Sequence, residues 1–172
     1  FPAFAGAFDV PAKPQTYVND YAGMLSVEER TQLEQKLQAF ERSSTNEIAV
    51  VTVQSLNGED VADVAQQIFT AWGIGKKEKN NGVLLLISLS DRKTRIQTGY
   101  GVEGSLTDLG TSYIQSGLIT PAFRAGNYAQ GINDAVDAMI RALGGENIVP
   151  SYEFVSDSKD STTSASDTFV II

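Results

Sequence analysis

The chain has 172 residues, 42% hydrophobic and 20% charged, which suits one globular domain with tails and excludes collagen-like and wholly unfolded classes. Lys and Arg number 13 against 21 Asp and Glu, a net charge of −8, and no basic stretch offsets it, so nucleic acid is excluded as a partner. With no Cys and no His there is no thiol nucleophile, no Ser-His-Asp triad and no thiolate or imidazole zinc site; a metal needs oxygen ligands, which selects Ca²⁺ or Mg²⁺.

Residues 1–16 start at Phe and carry Pro2, Pro11 and Pro14 without helical or strand periodicity, as expected of an extended lead-in exposed by processing. Ser26-Val27-Glu28-Glu29 has the capping-box form, and Leu33, Leu37 and Phe40 follow at helical spacing, so a first helix is predicted over about 26–43. Glu47 to Val53 (EIAVVTV) is too short for a helix and rich in β-branched residues, hence a buried central strand. Val61, Val64, Ala65, Ile68 and Trp72 form one face of a second helix that Gly73 or Gly75 ends. Lys76-Lys77-Glu78-Lys79 reads as a solvated loop.

The apolar run 82–90 (GVLLLISLS), the turn Asp91-Arg92-Lys93 and the alternating run 94–98 (TRIQT) predict a β-hairpin. Ser105-Leu106-Thr107-Asp108 is a second capping signature, predicting a helix to about Ser116. Thr120-Pro121 begins a short turn, and the last helix runs from Tyr128 to Leu143, closed by Gly144-Gly145. Residues 146–168 form a linker rich in Ser, Thr and Asp. The apolar Phe169-Val170-Ile171-Ile172 after it is expected to begin a transmembrane helix.

Residues 99–104 (GYGVEG) match the dinucleotide fingerprint G-x-G-x-x-G, but the preceding strand is the return arm of a hairpin and only helices follow, so no nucleotide site is expected. The three glycines are instead expected to turn the chain sharply at positive φ. Because the hairpin is antiparallel, Asn80-Asn81-Gly82 and Gly99 to Gly104 meet at one edge of the sheet. There Glu103, Asp108, Asn80, Asn81 and glycine carbonyls such as that of Gly101 form an all-oxygen set of the kind Ca²⁺ accepts. Asp108 equally serves as the acid of the capping signature. Asp91, at the hairpin tip, is a turn residue at the opposite end.

The strings Val18 to Ser26 (VNDYAGMLS), Glu47 to Val53, Trp72 to Gly75 (WGIG), Asn81 to Leu85 (NGVLL), Arg95 to Gly104, Leu106-Thr107-Asp108, and Pro121 to Arg124 with Tyr128 and Gly131 resemble the TPM domain over residues 17–145. The resemblance implies a three-layer α/β/α sandwich around a small mixed sheet of about four strands. It also implies an extracytoplasmic, envelope location, a membrane anchor after the domain, divalent-metal binding by loops near the glycine segment and, for some members, acid phosphatase activity. It carries the acidic positions onto Asp20 and Asp108; the Asp-Asn-Gly of many relatives is Asn80-Asn81-Gly82 here, one negative charge fewer.

Two functions follow as expectations. One is a membrane-tethered module with Ca²⁺ or Mg²⁺ in its loops, acting on an envelope protein or membrane complex. The other is a metal-dependent acid phosphatase in which Asp20 or Asp108 is nucleophile or metal ligand and Arg92, Arg95 or Arg124 clamps the phosphate.

Overall fold

The computed structural model describes residues 7–151; residues 1–6, most of the expected linker and the apolar run 169–172 lie outside the described residues. Four strands, β1 (Val18–Asp20), β2 (Glu47–Val53), β3 (Gly82–Ser88) and β4 (Lys93–Thr98), form one sheet in the order β1-β2-β3-β4. The first three are parallel and β4 returns antiparallel to β3, Val83 facing Thr98 and Ser88 facing Lys93. The helices are α1 (Val27–Ser44), α2 (Val61–Trp72), α3 (Asp108–Tyr113), α4 (Thr120–Arg124) and α5 (Tyr128–Leu143).

Alternation along β2 and β3 decides the layers. Ile48, Val50, Val83, Leu85 and Ile87 point to one face, where Leu33 and Leu37 of α1 meet Ile132, Val136 and Met139 of α5. Ala49, Val51, Leu84 and Leu86 point to the other, which α2 covers with Val64, Ala65, Ile68 and Trp72. This is the three-layer α/β/α sandwich expected, with a core wholly hidden from water. The two crossovers step the same way across the sheet yet use opposite faces, so they are of opposite hand. The usual right-handed rule would make them alike, but α1, α3 to α5 already fill the first face, leaving α2 the second.

The lead-in is docked along part of its length. Phe8 and Val10 pack against the α2 face, and Trp72 Nε1 donates to the Pro11 carbonyl at 2.8 Å. At the far side of the sheet, Glu34 of α1 accepts the Tyr17 and Val18 N–H groups at 2.9 and 2.8 Å, blunting the β1 edge. The Tyr17 hydroxyl donates to Glu41. That bond, then burial, push the phenol from its ordinary 10.0 up to about 12. A raised pKa means the folded state holds the proton more tightly, so this contribution is whole below pH 10 and is lost as pH climbs towards 12. Denaturant midpoints measured across that window are expected to fall more steeply for the wild type than for Tyr17→Phe.

The capping box at Ser26 forms as predicted, with Ser26 Oγ accepting from Glu29 N and the Glu29 carboxylate accepting from Ser26 N. The second cap differs. Val102 and Leu106 are buried and hold 102–106 in a turn, Ser105 and Leu106 N–H both reaching the Val102 carbonyl. The helix therefore starts later, capped by Thr107 Oγ1 accepting from Gly110 N at 3.2 Å, with Asp108 its first residue. Nor does it stop near Ser116. A π-helical segment, Ile114–Ile119, carries it into α4, Thr120 N–H reaching the Gln115 carbonyl five residues back. Pro121 lacks an N–H and its ring would crowd the carbonyl four residues before it; the wider π turn relieves that clash, so Pro121 falls inside a helix instead of opening a turn.

Candidate functional site

The sheet has two ends of different chemistry. The loop end carries Gly82, Thr98 and the loops 73–81 and 99–107; the outlet end carries Asp20, Val53, Ser88 and the 89–92 turn.

At the loop end GYGVEG is a clamp. None of Gly99, Gly101 and Gly104 has positive φ, contrary to the turn expected of them. The first two are required by close approach: a Cβ on Gly99 would lie 2.3 Å from the Asn80 carbonyl oxygen, and one on Gly101 would lie 1.9 Å from that of Lys79. Gly101 N–H donates to the Asn80 carbonyl at 2.9 Å, and Gly99 N–H to that of Gly82 at 2.9 Å. Gly104 faces open space. Asn80 itself is left-handed, φ +48°, a conformation Asn tolerates.

Asn81 is buried, and its amide is committed to the fold. Oδ1 accepts from Lys76 N at 2.8 Å and Nδ2 donates to the Thr45 carbonyl at 2.6 Å. Glu47, at the start of β2, adds a carboxylate that accepts from Gly75 N at 2.8 Å. Asn80 and Glu103 line one open groove of about 450 Å³ beside Phe69, Lys76, Lys77 and Tyr100. The lysines expected in a solvated loop thus rim this groove. Asp108 is exposed at the head of α3 and is not among its lining residues. Among the described residues no three Asp or Glu side chains gather to hold a metal. The acidic and amide oxygen donors among the groove's lining residues belong to Glu103 and Asn80; Gly101, expected to add a carbonyl, is not a lining residue.

Asp20 stands at the outlet end, away from Asn80, Asn81, Glu103 and Asp108. Its carboxylate accepts from Met24 N and Leu25 N, both at 2.9 Å, and from the Thr52 hydroxyl, tying the β1–α1 turn to β2. Asp91 also lies here, as expected, accepting from Ser88 Oγ at 2.6 Å and Leu56 N at 2.7 Å. Those bonds hold its carboxyl below the usual range, the Ser88 hydroxyl contributing most. Arg92 and Arg124 share a cleft at this end, whereas Arg95 lies exposed on β4 outside it. Sequence reasoning missed Thr45, Glu47 and the cleft, because each is assembled from segments tens of residues apart with no local motif.

A four-stranded mixed sheet between helices, with a loop clamp and groove at one end and a cleft lined by Arg92, Lys93 and Arg124 at the other, defines a small α/β/α domain with a concavity at each end of its strands. The chain belongs to the TPM domain family, whose pattern matches residues 18–142. Among solved structures it is similar to the N-terminal domain of a protein from P. gingivalis, at 38% identity and a TM-score of 0.69 over 76% of this chain and 83% of that one. The BA42 protein of Bizionia argentinensis is 24% identical, TM-score 0.62, over 70% and 82% of the two chains, and shares the fold. So does the N-terminal domain of the cg2496 protein of Corynebacterium glutamicum, 20% identical, TM-score 0.60, over 87% and 94%. No curated protein matches the chain.

Proposed function

We propose that this TPM domain is an extracytoplasmic accessory module of the cell envelope, tethered by a C-terminal membrane anchor, whose loops at 80–82 and 99–108 take up Ca²⁺ or Mg²⁺ when it engages an envelope or membrane protein complex. The observation that carries it is the loop-end groove, where Glu103 and Asn80 share a surface held in shape by the close approach of Gly99 and Gly101 to the 79–80 backbone. One carboxylate, with Lys76 and Lys77 close by, makes a low-charge site, so affinity belongs in the weak, roughly millimolar range of cation modules. The described residues after α5 run at this same end, Ile148 lying beside Gly110.

Backbone NMR shifts followed through a Ca²⁺ titration are expected to move at 80–82 and 99–108 together. Asn80→Asp, which adds the charge that the family resemblance implies at this position and tolerates the left-handed backbone, should tighten binding several-fold; Glu103→Gln should abolish it. Spectra unchanged at millimolar metal would sink the proposal.

A second reading, a metal-dependent acid phosphatase, is favoured by the family label, TPM phosphatase. Its candidate residues Asp20, Asp108, Arg95 and Arg124 are dispersed, and three donors occupy the Asp20 carboxylate. Phosphomonoester turnover with Mg²⁺ that disappears in Asp108→Asn would favour the enzyme over the module.

A further inference from the structure

We infer that the exposed turn Asn57-Gly58 is a site of covalent self-modification: in the folded protein the Asn57 amide converts to isoaspartate and aspartate, and the conversion loosens the docked lead-in. The chain holds two Asn-Gly pairs, Asn57-Gly58 and Asn81-Gly82, and the fold treats them oppositely. Asn57 and Gly58 are both exposed, and a Cβ on Gly58 would meet nothing within 4 Å. Their φ values of +54° and +87°, with Glu59 N–H donating to the Leu56 carbonyl at 3.0 Å, define a type I′ turn. Among the described residues neither the Asn57 side-chain amide nor the Gly58 N–H has a hydrogen-bond partner; it is the Asn57 backbone N–H that donates to Ser55 Oγ.

The Gly58 nitrogen gives up its proton to a solvent base and attacks Asn57 Cγ. The new N–C bond closes a succinimide ring, and the Cγ–Nδ2 bond breaks, Nδ2 leaving as ammonia. Water then adds to either ring carbonyl. Breaking the bond to Cγ gives aspartate; breaking the bond to the main-chain carbonyl carbon gives isoaspartate, with the chain rerouted through the side chain and one methylene longer. Gly58 permits the closure because, without a Cβ, its nitrogen comes close to Cγ unhindered, and an exposed turn opens locally at little cost. Asn81 lacks that freedom. It is buried, its Oδ1 accepts from Lys76 N at 2.8 Å and its Nδ2 donates to the Thr45 carbonyl at 2.6 Å. Gly82 is packed as tightly, since a Cβ there would lie 2.3 Å from the Ile74 carbonyl oxygen. Conversion at Asn57 disturbs what the turn joins. Leu56 is buried and its N–H donates to Asp91 at 2.7 Å, while the Glu59 carboxylate accepts from Phe8 N–H and from Gln67 Nε2. An extra methylene shifts Glu59 against Leu56, and a new carboxylate beside Glu59 and Asp60 adds like-charge repulsion, so the lead-in loses its anchor at Phe8.

The test holds the full chain in mildly alkaline buffer at physiological temperature, folded and separately in urea, and follows both Asn-Gly pairs by mass spectrometry with fragmentation that separates isoaspartate from aspartate. In the folded chain Asn57 is expected to convert, mostly to isoaspartate. Asn81 should be slower by roughly a hundredfold or more, the ratio between opening an exposed turn and unfolding the core. In urea the two should convert at similar rates. Trp72 is the chain's one tryptophan, and its Nε1 donates to the Pro11 carbonyl of the lead-in. Its indole N–H signal should shift as Asn57 converts. Asn57→Gly suits the positive φ and has no amide to lose, so it should fold and keep that signal fixed over the same incubation. The proposal is overturned if Asn57 keeps its amide in the folded chain while converting in urea, if Asn81 keeps pace with it in the folded chain, or if the Trp72 signal is indifferent to conversion.

Discussion

Gly101→Ala is expected to destabilise the domain by about 3 kcal/mol, combining overpacking with a strained hydrogen bond. The added methyl would sit 1.9 Å from the Lys79 carbonyl oxygen and 3.0 Å from that of Asn80. Both obstacles are backbone, held by the Asn80 turn and by the Gly101 N–H bond to it, so neither yields as a side-chain tip would. Relief requires the 99–104 loop to lift off the 75–82 loop, which also takes Val102 and Leu106 out of the core. For a domain of this size the loss corresponds to a fall in Tm of roughly 10 °C. Gly104→Ala, three residues on in the same motif, meets nothing within 4 Å and is not at positive φ. It should be neutral to slightly stabilising, within about 0.5 kcal/mol, by restricting the unfolded chain. Thermal unfolding of the two variants decides the matter: equal midpoints would refute the clamp.

Asn81→Ala should cost about 2 to 3 kcal/mol, because truncation leaves the Thr45 carbonyl and the Lys76 N–H without their partner in a buried corner. Asn81→Asp separates hydrogen-bond logic from mere size. It keeps an acceptor for Lys76 N but turns a carboxylate oxygen towards the Thr45 carbonyl and the Asn46 amide oxygen, where the amide donates at 2.6 and 3.4 Å. Burial and these acceptors raise the folded pKa of the new carboxyl above its unfolded value. The folded state then binds more protons than the unfolded one, so the variant gains stability as pH falls through the raised pKa towards the ordinary carboxylate range. Denaturant midpoints measured against pH should therefore show Asn81→Asp recovering in acid relative to Asn81→Ala. Parallel profiles would mean that the amide fills space only.

Local signals carried much of the architecture. The Ser26 box, the apolar faces of α1 and α2 and the EIAVVTV and GVLLLIS runs were legible because capping and periodicity act over a few residues. Antiparallel pairing in the hairpin is enough to put Asn80 and Glu103 at one edge of the sheet. Helix entry at 105–108 was not legible. Ser105 and Thr107 are both cap-forming residues, and burial of Val102 and Leu106 selects the later one although only Ser105 has an acid three residues on. Pro121 misled for a similar reason, since its effect on the helix depends on whether the preceding turn can widen.

The sequence by itself determined the fold class, the family, the absence of thiol and imidazole chemistry and the meeting of two loops at one edge of the sheet, all of which follow from residue type and short-range spacing. Tertiary structure alone decided which polar groups remain available. It commits the Asn81 amide and the Asp20 carboxylate to backbone partners, parts Asp20 from Asp108 by the length of the sheet, and gathers Arg92, Lys93 and Arg124 into one cleft. The reason is that hydrogen-bond donors and acceptors are consumed by whatever the fold brings within about 3 Å of them, and those neighbours come from segments tens of residues away.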